Sequence, residues 1–336
     1  DVEVNMFGQE LNPQTYSICK SDFLITTEQP ENIKLGSTLS KDGYQDTNRK
    51  FDYMICNPPY GVSWKKDEKY VKNESKETDG RFSVGTPRTS DGQLLFLQHM
   101  ISKMEPSGSR IGVVFNGSPM FTGDAGGGES EIRKWVIEND WLETIIQLPD
   151  NMFFNTGITT YLWIVTNKKS IERKGKIQLI DGSSFSNPIR KNLGDKSKEI
   201  SHENKKRILD IYMDFTENEF CKILDNNDFG YTKVQIERPL IKNGEVLKLK
   251  SGDTKPDSGL RDYEKVPLND SIEKYYEINV KPHLPDSWMD QKQNKVGYEI
   301  NINKYFYQYS PLRKSKEILE DLQNISSMIE KDFKDL

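Results

Sequence analysis

The sequence predicts an α/β fold built on a doubly wound, mostly parallel sheet. Short apolar runs of strand length alternate with segments of helical periodicity through the first half of its 336 residues. One of these runs ends in polar and aromatic residues, at the position where open α/β sheets bind their ligands. Apolar side chains also recur at helical spacing through residues 311–336. We therefore predict a core sheet, an accessory region and a long terminal helix.

The individual elements follow from local patterns. Pro13 suits the first turn of a helix. The apolar side chains of residues 92–104 lie largely on one side of a helix, and the continuous apolar run at residues 111–115 predicts a buried strand. In chain order, the predicted elements are a strand at 2–7, a helix from Pro13, strands at 33–35 and 53–56, a helix at 92–104, a strand at 111–115, a helix at 130–139, and strands at 144–148 and 160–167.

The domain organisation follows from the loss of this alternation after about residue 208. We predict a core domain at residues 1–185, an accessory region at 186–300 and a C-terminal helix within 301–336. An apolar stripe of this kind packs either on its own domain or on a partner. The stripe consists of Ile318, Leu319, Leu322, Ile325, Met328, Ile329 and Phe333.

The most informative motif is Asn57-Pro58-Pro59-Tyr60, which directly follows the apolar run at residues 53–56. That run predicts a buried parallel strand that ends at the motif. The two prolines stop a strand and hold the backbone extended. The Asn57 amide is then presented at the carboxyl end of the sheet, with the Tyr60 ring beside it. A strand-terminating turn is the alternative interpretation, because Asn and Pro are common turn residues.

The motif suits attack by an exocyclic amine on a methyl sulfonium. The carbonyl of Asn57 and a main-chain carbonyl of the Pro-Pro segment can accept the two N–H hydrogens, which favours a pyramidal nitrogen with its lone pair free. Tyr60 can stack on the ring that carries the amine. No strong base is needed before the attack, because the positive charge on the product nitrogen makes its proton acidic.

Residues 51–60 resemble the catalytic motif of S-adenosylmethionine-dependent amino-methyltransferases. The remaining motifs narrow the resemblance to the modification (M) subunit of type I restriction-modification systems, an adenine-N6 DNA methyltransferase. These motifs occur in the order of that family and cover nearly the whole chain. They are residues 7–13, 92–100, 148–158 and 295–300, followed by the final helix.

The resemblance implies a Rossmann-like, S-adenosylmethionine-dependent methyltransferase sheet and a set of site residues. Glu10 would bind the ribose hydroxyls of the cofactor, and Ser37 stands where the family usually has an aspartate that contacts the cofactor adenine. Asn57 borders both the cofactor and the target amine. Either Phe153 or Phe154 would sandwich a flipped base against Tyr60, and the match to the family's motif favours Phe153. Core packing is the alternative role for each phenylalanine. The implied partners are DNA, a specificity (S) subunit docked on the final helix, and a restriction (R) subunit.

The resemblance also implies an earlier strand that ends in a glycine-rich turn against the cofactor. No such turn precedes Glu10 in this sequence. We therefore predict that the chain is an N-terminally truncated fragment that is inactive alone. The glycine-rich residues 123–128 follow a later strand, and two acids, Glu129 and Glu131, would repel a phosphate there. A mobile loop and helix start is the favoured interpretation of that segment.

Composition restricts the partners. A net charge of -5 and a pI near 5.5 are unexpected for a protein that binds DNA without a partner, so a partner should supply many of the DNA contacts. Three widely spaced cysteines provide neither a disulfide framework nor a zinc site, which predicts a reducing cytoplasm. No apolar run is long enough for a membrane helix.

Several interpretations stay open. Residues 63–90 form either a lid that orders on DNA or a solvated flexible loop, and the basic residues 185–207 form either a solvated surface or a phosphate contact. Two other functions are also compatible with the motif at Asn57. One is methylation of a protein glutamine or an RNA base, and the other is a non-catalytic assembly subunit.

Overall fold

The computed structural model describes residues 4–26, 29–46, 48–154, 156–307 and 312–334, with the backbone alone from residue 330. Contacts divide the chain after Ile302 into a large unit and a small C-terminal unit.

The predicted α/β class is confirmed. The strands are β1 Gly8–Glu10, β2 Ile33–Leu35, β3 Tyr53–Cys56, β4 Arg110–Asn116, β5 Leu142–Gln147, β6 Thr160–Thr166, β7 Lys176–Asp181, β8 Asn187–Leu193, β9 Lys196–Glu199, β10 Cys221–Asp225, β11 Gly230–Glu237, β12 Ile241–Lys242, β13 Glu245–Val246, β14 Asp262–Pro267 and β15 Trp288–Tyr298.

The helices alternate with the strands through the first 140 residues and become sparse afterwards. They are α1 Pro13–Thr26, α2 Glu68–Glu74, α3 Gln93–Ser102, α4 Ser118–Phe121, α5 Gly128–Glu138, α6 His202–Asp214, α7 Ile272–Tyr275, α8 Ile302–Phe306 and α9 Ser315–Lys334. The predictions that a helix begins at Pro13 and that strands cover residues 33–35 and 53–56 are confirmed.

The central sheet has six strands in the order β10-β7-β5-β6-β4-β3. Strands β3 and β4 pair in parallel, as do β5 and β7, while β6 runs antiparallel between β4 and β5. Strands β3, β4, β5 and β7 therefore run in one direction, and their carboxyl ends lie along one edge of the sheet. Helices α3 and α5 each bury an apolar face, and Trp163 of β6 packs edge-on against Phe115 of β4 in the core.

A separate two-stranded parallel sheet is formed by β1 and β2. The prediction of a strand at residues 2–7 is wrong for its described part, residues 4–7, because pairing with β2 begins only at Gly8. Val4 and Met6 are exposed, so the alternation of apolar residues here does not face a core. Residues 2 and 3 lie outside the described part of the chain.

Strand β3 is parallel to β4, as predicted, but it is not buried. Tyr53 is 80% and Ile55 92% exposed, because β3 is the last strand of the sheet within the described residues. A cleft of about 570 Å³ runs beside it, lined mainly by apolar side chains of β3, β4 and β6. An apolar edge strand with free main-chain groups is a surface on which another strand can pair.

Residues 63–90 are packed, so the interpretation as a solvated flexible loop is wrong. Trp64, Val71 and Phe82 are buried and form a cluster with Leu39 and Leu95. The segment therefore joins the region after β2 to helix α3. Whether it also closes over DNA stays a prediction.

The accessory region contains a three-stranded antiparallel sheet in the order β14-β11-β15. Arg133 of α5 is buried and donates a 2.6 Å hydrogen bond to the Tyr298 carbonyl at the end of β15. It also donates to the carbonyls of Thr122 and Gly123. The glycine-rich loop is thus held between α5 and the accessory sheet rather than open as a phosphate cradle.

Helix α6 contacts β7, and β10 pairs with β7 at the edge of the central sheet. Part of the residues 186–300 therefore extends the core sheet, and the predicted boundary after residue 185 stays a prediction. The C-terminal unit carries α9, whose described apolar side chains are exposed. No helix among the described residues is long and apolar enough to cross a membrane.

Candidate active site at the carboxyl ends of the strands

Asn57 is the first residue after β3, at the carboxyl end of that strand. Pro58 is buried, while Asn57 and Pro59 are exposed. Neither proline has an N–H group to donate, so their carbonyls are the hydrogen-bonding groups that they bring to this edge. Gly61 has a φ of +60°, a left-handed conformation that turns the chain away directly after Tyr60.

Tyr60 and Asn57 contact each other directly. The Tyr60 hydroxyl donates a 2.6 Å hydrogen bond to Asn57 Oδ1. Burial raises the pKa of Tyr60 to about 12, with a smaller contribution from the neighbouring Cys56 thiol. The phenol therefore keeps its proton at neutral pH and acts as a donor. An incoming amine that needs Asn57 Oδ1 as its acceptor must share this oxygen with Tyr60 or displace its hydroxyl.

The loop after β5 emerges at the same edge of the sheet as Asn57, because β5 runs in the direction of β3 and β4. Phe153 and Phe154 lie in this loop; Phe153 is half-buried and Phe154 is exposed. The ammonium group of Lys196 lies 5.5 Å from the centroid of the Phe154 ring. Within the described residues no ring pair joins Tyr60 to either phenylalanine, and Asn155 lies outside them.

Glu10 ends β1 and pairs in register with Leu35, the last residue of β2, so Ser37 follows at the neighbouring strand end. Glu10 Oε1 accepts a 2.6 Å hydrogen bond from the Asn12 main-chain N–H, which orients the carboxylate. The Gly36 N–H donates to the Glu10 carbonyl at 2.9 Å. A carboxylate and a hydroxyl at adjacent strand ends suit the hydroxyl groups and the amine of a nucleoside.

Three aromatic residues and one buried leucine connect this small sheet to β3. The rings of Phe7, before β1, and Phe51, before β3, have centroids 5.5 Å apart. At the other ends of the strands, Leu39 follows β2 and packs with Trp64, which follows β3. The residues before β1 and β3 are thus in contact, and so are the segments that follow β2 and β3. Glu10 and Ser37 therefore lie on the same side of the large unit as Asn57.

Arg81 is a site residue that the sequence did not reveal. Its guanidinium donates to the carbonyls of Thr38 and Leu39 at 2.8 and 3.1 Å, directly after Ser37. It also makes a two-point ion pair with Glu74, at 2.6 and 2.7 Å. Planar, multiply bonded arginines of this kind fix geometry as well as charge. Arg81 therefore ties the loop after β2 to the segment that follows the Asn57 motif.

His99 of α3 completes this network as a neutral ring. Its Nδ1 lies 2.9 Å from Arg81 Nη1, and because arginine has only donors, Nδ1 must be the acceptor. Burial, together with the Arg81 charge, lowers the pKa of His99 to about 4. A buried ion pair between Asp42 and Lys103 lies beside it. The Asp42 charge raises the pKa of His99 and the Lys103 charge lowers it, so the two effects oppose each other.

The family model described as N-6 DNA Methylase matches residues 1–241 of this chain. A type I restriction enzyme methylase subunit of Methanocaldococcus jannaschii is 27% identical over 250 residues, which are 73% of this chain and 42% of that protein. The corresponding HindI subunit of Haemophilus influenzae is 29% identical over 222 residues, 66% of this chain and 43% of that protein. The chain thus spans about two-fifths of the length of these curated relatives.

Among solved structures, a type I restriction-modification system methyltransferase subunit from Streptococcus thermophilus is similar. It superposes with a TM-score of 0.56 at 25% identity and covers 66% of this chain, which in turn covers 44% of that one. This likeness agrees with the α/β fold of the large unit.

Proposed function

Because the chain belongs to the N-6 DNA Methylase family, we propose that it transfers a methyl group from S-adenosylmethionine to N6 of an adenine flipped out of DNA. In this proposal it acts as the modification subunit of a type I restriction-modification complex. The observation that carries the proposal is the pair of Asn57 and Tyr60 at the carboxyl end of β3, with an amide oxygen and an aromatic ring side by side.

Asn57 and the Pro58 or Pro59 carbonyl act on the adenine amine. Two acceptors at this point bind both N–H hydrogens and leave the nitrogen lone pair directed at the methyl donor. Since Asn57 Oδ1 already accepts from the Tyr60 hydroxyl, the arriving amine replaces a hydrogen bond rather than filling an empty acceptor. This exchange keeps Asn57 Oδ1 hydrogen-bonded before and after the base enters.

Tyr60, Phe153 and Phe154 hold the base. Flipping removes the adenine from the stack and costs a few kcal/mol, which aromatic contacts in the pocket offset. Phe154 is 60% exposed at the edge where the base arrives, so its ring is accessible to a base there. Phe153 is the preferred stacking partner of the two.

The residues that would hold S-adenosylmethionine are Glu10, Ser37 and Asn57. The bound cofactor supplies a methyl group on a sulfonium. Glu10 binds the ribose hydroxyls with its carboxylate, Ser37 accepts from the adenine amine, and Asn57 borders both the cofactor and the target amine. Arg81 holds the two carbonyls that follow Ser37 and so positions the loop without touching the cofactor.

The exposed apolar stripe of α9 supports docking of a DNA-reading specificity subunit, with a restriction subunit joining in the full complex. The chain carries a net charge of -5, so sequence-specific DNA binding depends on that partner. The decisive experiment on the activity uses the assembled complex, labelled S-adenosylmethionine and DNA containing the recognition site. N6-methyladenine is the expected modified nucleoside; methylated cytosine, or no DNA product, would refute the proposal.

Tyr60 variants separate stacking from hydrogen bonding. Tyr60→Phe keeps the ring and frees Asn57 Oδ1, so methyl transfer should stay within about fivefold of the wild type, the range of one neutral hydrogen bond. Tyr60→Ala removes the ring and should lose about tenfold to hundredfold in kcat/KM, the range of one base–aromatic stack. Steady-state methyl transfer with both variants measures this, and equal losses in the two variants would exclude a stacking role.

Cofactor binding by these 336 residues alone should be weak. The proposed contacts lie at the end of β1 and just after β2 and β3, and the apolar edge of β3 is uncovered within the described residues. A cofactor bound beside this uncovered edge stays largely exposed to solvent. Calorimetric titration of this chain with S-adenosylmethionine should show no saturation in the micromolar range. Micromolar binding would place the cofactor elsewhere.

A further inference from the structure

The hairpin of β8 and β9 stands apart from the other sheets. Among the residues that the structure describes, its strands pair only with each other, around a turn at Gly194 with a φ of +62°. All but one residue of β8 are exposed. An isolated two-stranded hairpin is marginally stable in water, so its position depends on what it contacts.

The contact that holds this hairpin is the loop carrying Phe153 and Phe154. The carbonyl of Asn151 accepts hydrogen bonds from the main-chain N–H groups of Ser197 and Lys198, at 3.1 and 3.3 Å. The Lys198 ammonium pairs with Asp150. The two main-chain hydrogen bonds and the ion pair fix the position of the hairpin against the loop. Lys196 of the hairpin also lies over the Phe154 ring.

The charge of this region is opposite to that of the chain. Residues 185–207 contain seven lysines and arginines against three acidic residues, in a protein of net charge -5. Five of these cations are exposed and belong to none of the ion pairs found in the described residues. Arg207 is one of them, but it lies over the rings of Phe185 and Phe220. The other four are Arg190, Lys191, Lys205 and Lys206.

We propose that the β8–β9 hairpin and the start of α6 bind the phosphate backbone of the DNA strand beside the flipped base. The proposal rests on the proposed function, because it takes the loop at Phe153 and Phe154 as the one that receives the base. A flipped nucleotide stays attached to its strand, so its flanking phosphates pass close to whatever is joined to that loop. Unpaired cations at this position neutralise phosphates and release counterions.

This surface gives the acidic chain a DNA contact of its own without sequence preference. Phosphate contacts fix register and orientation and do not read bases. Because the hairpin is bonded to Asn151, binding of the backbone there also places the aromatic residues of the loop against the base. The specificity subunit would then choose the site, and the hairpin would secure the strand whose adenine is flipped.

The test is the salt dependence of DNA binding by the assembled complex carrying Arg190→Gln and Lys191→Gln. Each lost phosphate contact lowers the slope of log K against log salt by about 0.9, so the slope should fall by about two. The matched control is Lys242→Gln with Lys250→Gln, which removes the same charge from exposed positions in and near the β12–β13 hairpin. The control should keep the wild-type slope.

Two further variants make the outcome decisive. Exchanging the cations, Arg190→Lys with Lys191→Arg, should restore the slope, because the charge and not the side-chain shape is needed. Asn57→Ala should retain the slope while losing methyl transfer, so failure of the proposed function and failure of the hairpin are distinguishable. An unchanged slope in the glutamine variant would overturn the proposal. Loss of co-purification with the specificity subunit would overturn it too, and would assign the hairpin to an acidic protein surface.

Discussion

Replacing Asn57 with alanine should lower the rate of methyl transfer by about 10²–10³, the usual cost of losing one preorganised hydrogen-bonding contact in an active site. Asn57 Oδ1 is the side-chain acceptor that the end of β3 offers to the amine. Without it the amine nitrogen keeps its lone pair delocalised into the ring. Single-turnover transfer from labelled S-adenosylmethionine, with the specificity partner present and DNA saturating, measures the chemical step.

Asn57→Asp is the matched control, since a carboxylate also accepts hydrogen bonds at the same position. It should retain more activity than Asn57→Ala, although the added charge changes the contact with the Tyr60 hydroxyl. DNA binding should be the same in Asn57→Ala as in the wild type, because Asn57 contributes no charge to phosphate contacts. Near wild-type turnover in Asn57→Ala would end the assignment of this residue as the amine acceptor.

The second large effect concerns assembly. Replacing Leu322 and Ile329 with aspartate should abolish co-purification with the specificity subunit, because central apolar side chains anchor interfaces of this type. The two residues are one heptad apart on α9 and are 57% and 51% exposed, so they lie on one face that the chain leaves open. The large unit should stay folded, because it comprises residues 1–302 and both substitutions lie outside it.

Asn324→Asp with Ser327→Asp provides the control on the polar side of the same helix. This pair adds the same charge to α9 without entering the apolar stripe, so co-purification should persist. Equal loss in both double variants would indicate that acidic charge alone disrupts α9. An intact complex with Leu322→Asp and Ile329→Asp would show that the stripe does not carry the interface.

The core sheet was predictable because its strands are short apolar runs between helices of clear periodicity. Strand β4 and helix α3 illustrate this: every residue of the predicted strand 111–115 lies in β4, and α3 lies within the predicted helix. Strand β15 shows the limit. Its eleven residues include Asp290, Lys292 and Lys295, and it has no run of apolar residues. It is a strand because β11 pairs with it. The paired residues are 51 to 68 positions apart in the chain, so the local sequence does not indicate the pairing.

The site was partly predictable for a related reason. Asn57 and Tyr60 follow a strand and two prolines, which mark the position in the sequence itself. Arg81 lies in a polar stretch where Trp64, Val71 and Phe82 are too far apart to show a period, so the packed cluster beneath it was not evident. The exposure of β3 was missed because an apolar run predicts burial without saying which strand covers it.

The central claim is that Asn57 receives the amine of a flipped adenine at the carboxyl end of β3. A structure of the assembled complex with its DNA and a non-reactive analogue of the cofactor measures this directly. The distance from the target adenine N6 to Asn57 Oδ1 should be about 2.7–3.2 Å, a hydrogen bond, with the base ring stacked on Tyr60. A target adenine that stays in the duplex, or that binds away from Asn57, would contradict the account.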